Sequence, residues 1–131
     1  EVFSIIMLDI DHFKNVNDTY GHGVGDEVLV EISSIVKNMI RKHDALIRFG
    51  GEEFIVFLSD ADIEVGQQTA EKLRLLIEAT PFSSSDLNVT GSFGVVEYTP
   101  GESMNMLIEQ ADQLLYAAKA GGRNRICSAQ G

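Results

Sequence analysis

Four carboxylates stand where the chain changes character. Asp9 and Asp11 close an apolar run, and Glu52 and Glu53 follow the pair Gly50-Gly51. If the two segments lie side by side in one sheet, these acids converge on one edge of it. Converging carboxylates repel, which raises the pKa of at least one of them or recruits a cation. Oxygen-only ligands, few and left partly open, suit Mg²⁺ or Mn²⁺ shared with substrate phosphates. Taken singly, each acid is an ordinary solvated turn residue. Together, with glycines that permit close backbone approach, they read as a site.

The stretch after Asp11 offers a second half. Lys14 and the backbone N–H groups around it could cradle phosphates as a nest does, although the Gly-x-x-x-x-Gly-Lys-Ser/Thr spacing of a P-loop is absent. Asn17 and Asp26 present an amide and a carboxylate suited to a purine edge. A carboxylate accepts from the N1–H and N2–H₂ donors of guanine, a pattern that adenine lacks. Asn and Asp are equally common in turns and caps, so their types alone do not decide the matter.

These groups need a scaffold. Phe3 to Leu8, broken only by Ser4, predicts a strand buried on both faces, and Asn15 to Gly25 has the composition of turns and loop. Asp26 then starts a helix with an apolar stripe of Val28, Leu29, Ile32, Ile35, Val36, Met39 and Ile40. Ala45–Phe49 and Phe54–Leu58 predict a hairpin around Gly50-Gly51-Glu52-Glu53. A helix over 63–79 should bury Val65, Ala70, Leu73, Leu76 and Ile77, and Thr80-Pro81 stops it. Ser83-Ser84-Ser85-Asp86 is a loop, and Leu87–Tyr98 a strand whose Gly91 and Gly94 mark a bulge or a close backbone approach. Ser103 caps a last helix to about Ala120, with Leu107, Ala111, Leu114, Leu115 and Ala118 inward; Gly121-Gly122 ends it, and a short strand follows at Arg125–Cys127. The expected fold class is α+β, with helices packed on a mainly antiparallel sheet.

The 131 residues make one domain, and the net charge of −10 argues against a nucleic-acid partner. An acidic chain can still bind a phosphate-rich ligand if divalent cations bridge the two. No apolar run approaches the roughly 20 residues that span a bilayer. The single Cys127 excludes an internal disulfide framework and makes a reducing cytoplasm the expected compartment; Cys127 reads as an incidental thiol. His43 reads as part of a solvated helix end, and Met7, Met39, Met104 and Met106 as core or near-core filler.

The run Asp9-Ile10-Asp11-His12-Phe13-Lys14-Asn15-Val16-Asn17-Asp18-Thr19-Tyr20-Gly21-His22, then Gly25-Asp26, Arg48-Phe49-Gly50-Gly51-Glu52-Glu53-Phe54 and Ala118-Lys119-Ala120-Gly121-Gly122-Arg123-Asn124, resembles the GGDEF family of diguanylate cyclases. The resemblance covers nearly the whole chain. It implies a palm-like fold shared with nucleotidyl cyclases, and condensation of two GTP into cyclic di-GMP and two pyrophosphates. Asp9, the carbonyl of Ile10, Glu52 and Glu53 would hold the divalent metal, with Glu52 also helping to deprotonate the attacking hydroxyl. Asn17 and Asp26 would read the guanine with His22 nearby, Phe13 would line the substrate pocket, and Lys14, Lys119 and Arg123 would meet the phosphates. Gly50 and Gly51 would let the α-phosphate approach the hairpin. Each domain would hold one GTP, so catalysis requires a homodimer.

Arg41-Lys42-His43-Asp44 resembles the family's Arg-x-x-Asp inhibitory site, where cyclic di-GMP would act as feedback inhibitor; Lys72 stands where some members add an Arg, with Arg74 nearby. The bland alternative is a helix-end ion pair. The family's usual helix and Asp-x-Leu-Thr-x-Leu-x-Asn-Arg stretch do not precede the first strand of this single GGDEF domain, 1–131. An upstream sensory domain in the parent chain is implied, and a membrane anchor there is left open. A rival reading is a catalytically silent GGDEF domain that binds GTP or cyclic di-GMP as a regulatory module. The turn acids, both glycines and Asp9 are all present, which favours the enzyme. A cyclase making a different product is disfavoured by Asn17 and Asp26.

Overall fold

The first apolar run forms β1 (Phe3–Ile10) at the centre of a five-stranded sheet. In the computed structural model, which describes residues 2–82 and 87–129, it is followed by α1 (Phe13–Tyr20), α2 (His22–Met39), β2 (Ala45–Arg48), β3 (Glu53–Ser59), α3 (Ile63–Ala79), β4 (Gly91–Glu97), α4 (Met104–Ala120) and β5 (Arg125–Ser128). The strand order is β2-β3-β1-β4-β5, antiparallel throughout except for the parallel pair β4–β5. The predicted loop at Ser83-Ser84-Ser85-Asp86 lies outside the described residues.

Both faces of β1 are covered, which explains its unbroken hydrophobicity. Ile6, Leu8 and Ile10 join the larger cluster beneath α2 and α3 with Val28, Ile32, Leu73 and Ile77, while Ile5 and Met7 join a smaller one beneath α4 with Leu107, Ala111 and Leu115. Ser4 is buried within this run and donates from Oγ to the Ala61 carbonyl at 2.9 Å, so no polar group is left unpaired there. Asp62 and Ser103 cap α3 and α4 through their side chains, as Ser103 was expected to do.

Four expectations need correction. The stretch Asn15–Gly25 is largely helical, because Phe13 and Val16 of α1 and Gly25 and Val28 of α2 bury their faces and packing overrides turn-forming composition. The two helices meet at Gly21, whose φ of 92° suits glycine. The strand after the second long helix spans only Gly91–Glu97, preceded by an isolated bridge between Phe82 and Leu87, and no bulge interrupts its pairing with β1. Leu76 is exposed, since α3 meets the sheet along Gly66, Ala70, Leu73 and Ile77. Met104 and Met106 are exposed as well, in the first turn of α4 ahead of Leu107, its first buried residue.

Gly94 proves to be the close approach rather than a bulge. A Cβ there would lie 2.3 Å from the Ala111 carbonyl oxygen and 2.7 Å from the Leu115 nitrogen, so α4 rests on β4 with no room for a side chain. Gly94→Ala must push the helix backbone away from the sheet. We expect a loss of about 1–3 kcal/mol or more in urea unfolding; wild-type stability would show that α4 is not seated this way.

Candidate active site

The register of the central strands decides where the acids go. Asp9 pairs with Glu53 across β1 and β3, and Glu52 precedes Glu53 in the turn between β2 and β3. The turn is closed by Phe49 N–H and Gly50 N–H donating to the Glu53 carbonyl at 2.8 and 3.3 Å. Arg48 braces it from outside, its Nη2 donating to the Gly51 carbonyl at 2.6 Å. Gly50 and Gly51 have neither a positive φ nor a close backbone neighbour. Their missing side chains leave the outer surface of the hairpin open rather than solving a packing problem inside the chain.

Asp9 is buried at 2% exposure, and its Oδ2 accepts a hydrogen bond from Lys119 Nζ at the end of α4. Its Oδ1 is buried with no hydrogen-bond partner among the described residues. Burial and the charge of Asp9 push the Glu52 carboxyl up to about 7, with Lys119 opposing. Burial and the charges of Asp9 and Asp112 raise Glu53 too. Lys119 is disfavoured by burial, but its bond to Asp9 and the surrounding acids hold its pKa above the ordinary lysine value.

This donor set fits a hard divalent cation. An orphaned carboxylate oxygen beside two acids reluctant to ionise is a site short of positive charge. Among the described residues no three acidic, His or Cys side chains form a finished cage, so the arrangement resembles an open site completed by substrate oxygens. Asp11 does not join it. Buried, it accepts from Ser92 Oγ at 2.6 Å, Thr90 Oγ1 at 2.7 Å and Asn124 N–H at 3.0 Å, and so ties β1 to β4 and to the turn before β5.

Beside the acids lies a cleft of about 240 Å³ whose lining includes Ile10, Phe13, Lys14, Glu52, Lys119 and Arg123. It opens at the N-terminus of α1, where backbone N–H groups favour anions. Among the described residues Lys14 pairs only with exposed Asp18, at 3.1 Å, and Phe13 is a core residue forming a wall. Asn17, His22 and Asp26 sit apart from this cleft at the α1–α2 corner. A Cβ on Gly25 would fall 1.9 Å from Asn17 Oδ1, so the glycine lets Asn17 lie against the first turn of α2, next to Asp26.

The third predicted group lies at the far end of β3, roughly 20 Å along the strand from Glu53. Arg41, Asp44 and Lys72 share a cleft of about 210 Å³ between α2 and α3. Arg41 grips Asp44 through Nε at 3.0 Å and Nη2 at 3.1 Å, and Asp44 Oδ1 also accepts Ser59 N–H at 2.9 Å. Burial opposes the Asp44 charge, but these bonds hold its pKa below the usual carboxylate value. The helix-end ion pair therefore exists, inside the cleft. Arg74 is not part of it and pairs with Glu71 on the opposite side. Sequence reasoning passed over Arg48 and Asn124 as site residues although both fall within the quoted motifs.

The family model for the diguanylate cyclase GGDEF domain matches residues 1–125. Diguanylate cyclase A of Treponema denticola is 44% identical over 129 residues, which are 96% of this chain but 35% of that protein. The GGDEF domain of DgcB from Caulobacter crescentus, solved with c-di-GMP, superposes with a TM-score of 0.93 at 36% identity, covering 99% of this chain and 79% of that one. The active GGEEF domain of a diguanylate cyclase from Vibrio cholerae gives 0.92 at 36% identity, covering 98% and 83%. The chain spans 18–38% of the length of curated relatives that it matches. Among the described residues no helix is long and apolar enough to cross a membrane.

The acid cluster predicts a pH signature for the metal-free protein. A carboxyl whose folded pKa rises from 4.5 to about 7 favours folding below the lower value and loses that contribution as pH climbs through the upper one. Melting temperature should therefore fall between pH 5 and 8, and Glu52→Gln should flatten the decline. Mg²⁺ or Mn²⁺ should raise the melting point more at pH 8 than at pH 5, and Asp9→Asn should remove that gain. A metal-free profile unchanged by Glu52→Gln would contradict the crowding.

Proposed function

The chain belongs to the GGDEF family of diguanylate cyclase domains, and on that premise we propose that it condenses two GTP molecules into cyclic di-GMP and two pyrophosphates with Mg²⁺ or Mn²⁺. The observation that carries this reading is the buried, unpartnered oxygen of Asp9 among crowded acids, beside a cationic cleft of phosphate size. Retention of Asp9, Gly50, Gly51, Glu52 and Glu53 supports an enzyme over a silent binding module.

Asp9, the Ile10 carbonyl, Glu52 and Glu53 would hold the cation, which would neutralise charge developing on the phosphoryl oxygens. Lys119, which lines the cleft with Lys14 and Arg123, would meet the triphosphate beside them. Asn17 and Asp26 read the guanine edge near His22, and Phe13 supplies the pocket wall. The open hairpin surface at Gly50 and Gly51 accepts the α-phosphate. Glu52, poised near neutral pH, takes the proton of the attacking 3′-hydroxyl. A new O–P bond forms at the α-phosphorus, the bond to the bridging oxygen breaks, and pyrophosphate leaves. Because each domain holds one GTP, two copies face each other across a two-fold axis so that each hydroxyl meets the other α-phosphate.

We assign Arg41, Asp44 and Lys72 to feedback binding of cyclic di-GMP. The Arg41 fork would leave Asp44 to meet a phosphate or guanine edge. An upstream sensory domain in the parent chain would serve to bring two such domains together.

Purified dimeric protein incubated with GTP and Mg²⁺ or Mn²⁺ should yield cyclic di-GMP on chromatography; no product sinks the catalytic reading. Glu53→Ala should lower kcat by about 10²-fold or more at an unchanged circular-dichroism spectrum. Arg41→Ala should raise the cyclic di-GMP concentration for half-inhibition by about tenfold, the loss of one charge-assisted contact. Unaltered inhibition would remove Arg41 from the second site.

A further inference from the structure

The turn between α4 and β5 holds an unusual backbone. Gly122, Arg123 and Asn124 have φ values of 125°, 65° and 47°, three consecutive residues in the region L-residues avoid. Glycine tolerates it and Asn tolerates it moderately, but Arg123 has no such preference. Among the described residues the Arg123 guanidinium makes no hydrogen bond or ion pair of its own, although it lines the phosphate cleft. With no contact to hold the guanidinium, only the backbone that carries Arg123 fixes where its side chain leaves the turn.

Asn124 fastens that backbone to α3. Its Oδ1 accepts from Arg74 Nη1 at 3.1 Å, and its Nδ2 donates to Glu78 Oε2 at 2.8 Å. Arg74 is itself fixed by Glu71 through bonds of 2.8 and 2.6 Å, and its side chain is largely buried. The Asn124 N–H donates to buried Asp11 at 3.0 Å. The backbone bond is open to any residue except proline, whereas the two side-chain bonds require an acceptor and a donor on one short planar group.

We propose that Asn124 is a positioning residue whose side chain, clamped between Arg74 and Glu78, fixes the turn that aims Arg123 at the nucleotide's phosphates. This rests on the reading of Arg123 as a phosphate contact. Asn124→Gly keeps the backbone preference and removes the clamp. Asn124→Asp sets a carboxylate against Glu78, and adding Glu78→Gln restores the pairing with donor and acceptor exchanged.

Binding of a non-hydrolysable GTP analogue and of GMP to the intact chain with Mg²⁺, measured by calorimetry, reads the effect without turnover. Asn124→Gly and Asn124→Asp should each weaken the GTP analogue about tenfold while leaving GMP within about twofold. Asn124→Asp/Glu78→Gln should recover the loss. Combining Asn124→Gly with Arg123→Ala should cost no more than Arg123→Ala alone. Wild-type affinity in Asn124→Gly, equal losses for GTP analogue and GMP, no recovery in the double variant, or additive losses with Arg123→Ala would each overturn the proposal. Absence of cyclic di-GMP alongside intact discrimination between the ligands would instead defeat the cyclase reading alone.

Discussion

Negative charge crowded at one end of the central strand is the constraint around which the rest of this domain is arranged. Asp9 is forced into the interior because it continues a strand buried on both faces, and the register sets Glu53 beside it. Glu52 follows from the turn that this register requires. Carboxylates so placed cannot all ionise comfortably in a partly desolvated site. The molecule tolerates the arrangement through the ammonium group of Lys119, and one oxygen of Asp9 has no partner among the described residues.

The scaffold keeps those charges from drifting apart. Lys119 reaches Asp9 because α4 lies flush against β4, backbone to backbone at Gly94. The hairpin keeps its shape because Arg48 holds the glycine carbonyls. Asp11, two residues beyond Asp9, is saturated by Ser92, Thr90 and Asn124, and so pins the strand end from which the cluster projects. Neighbouring acids of one chemical type thus do opposite jobs: one is kept short of partners and the other is fully satisfied.

The long elements were legible in the sequence because their periodicity is strong, and the convergence of Asp9 with the hairpin acids followed once the two strands were taken as neighbours. Three-dimensional context hid the remainder. The α1–α2 segment carries turn-forming residues whose burial of Phe13 and Val16 no local rule weighs. Asp11 and Asp9 look equivalent in the chain and are separated only by what lies above each of them. The Arg41–Asp44 pair was visible as a spacing, but its grip on Ser59 depends on a strand end 15 residues away from Asp44. Lys72, read as the cleft residue with Arg74 nearby, lines the Arg41–Asp44 cleft, while Arg74 turns to Asn124, a difference of helix face that nearness in the chain does not express.

The order in which the chain leaves the ribosome acquires a meaning from the sheet topology. Within these 131 residues the central strand precedes its neighbours β3 and β4 and its counter-charge Lys119, which lies 110 residues from Asp9. Such non-local pairing is slow, because chain entropy must be lost before any contact rewards it. Until α4 has been synthesised, an apolar strand ending in unneutralised acids waits without its cover. Whatever the domain does with its acid cluster, the cluster acquires its counter-charge only once α4 has docked on β4, so assembly of the site and closure of the core are one event.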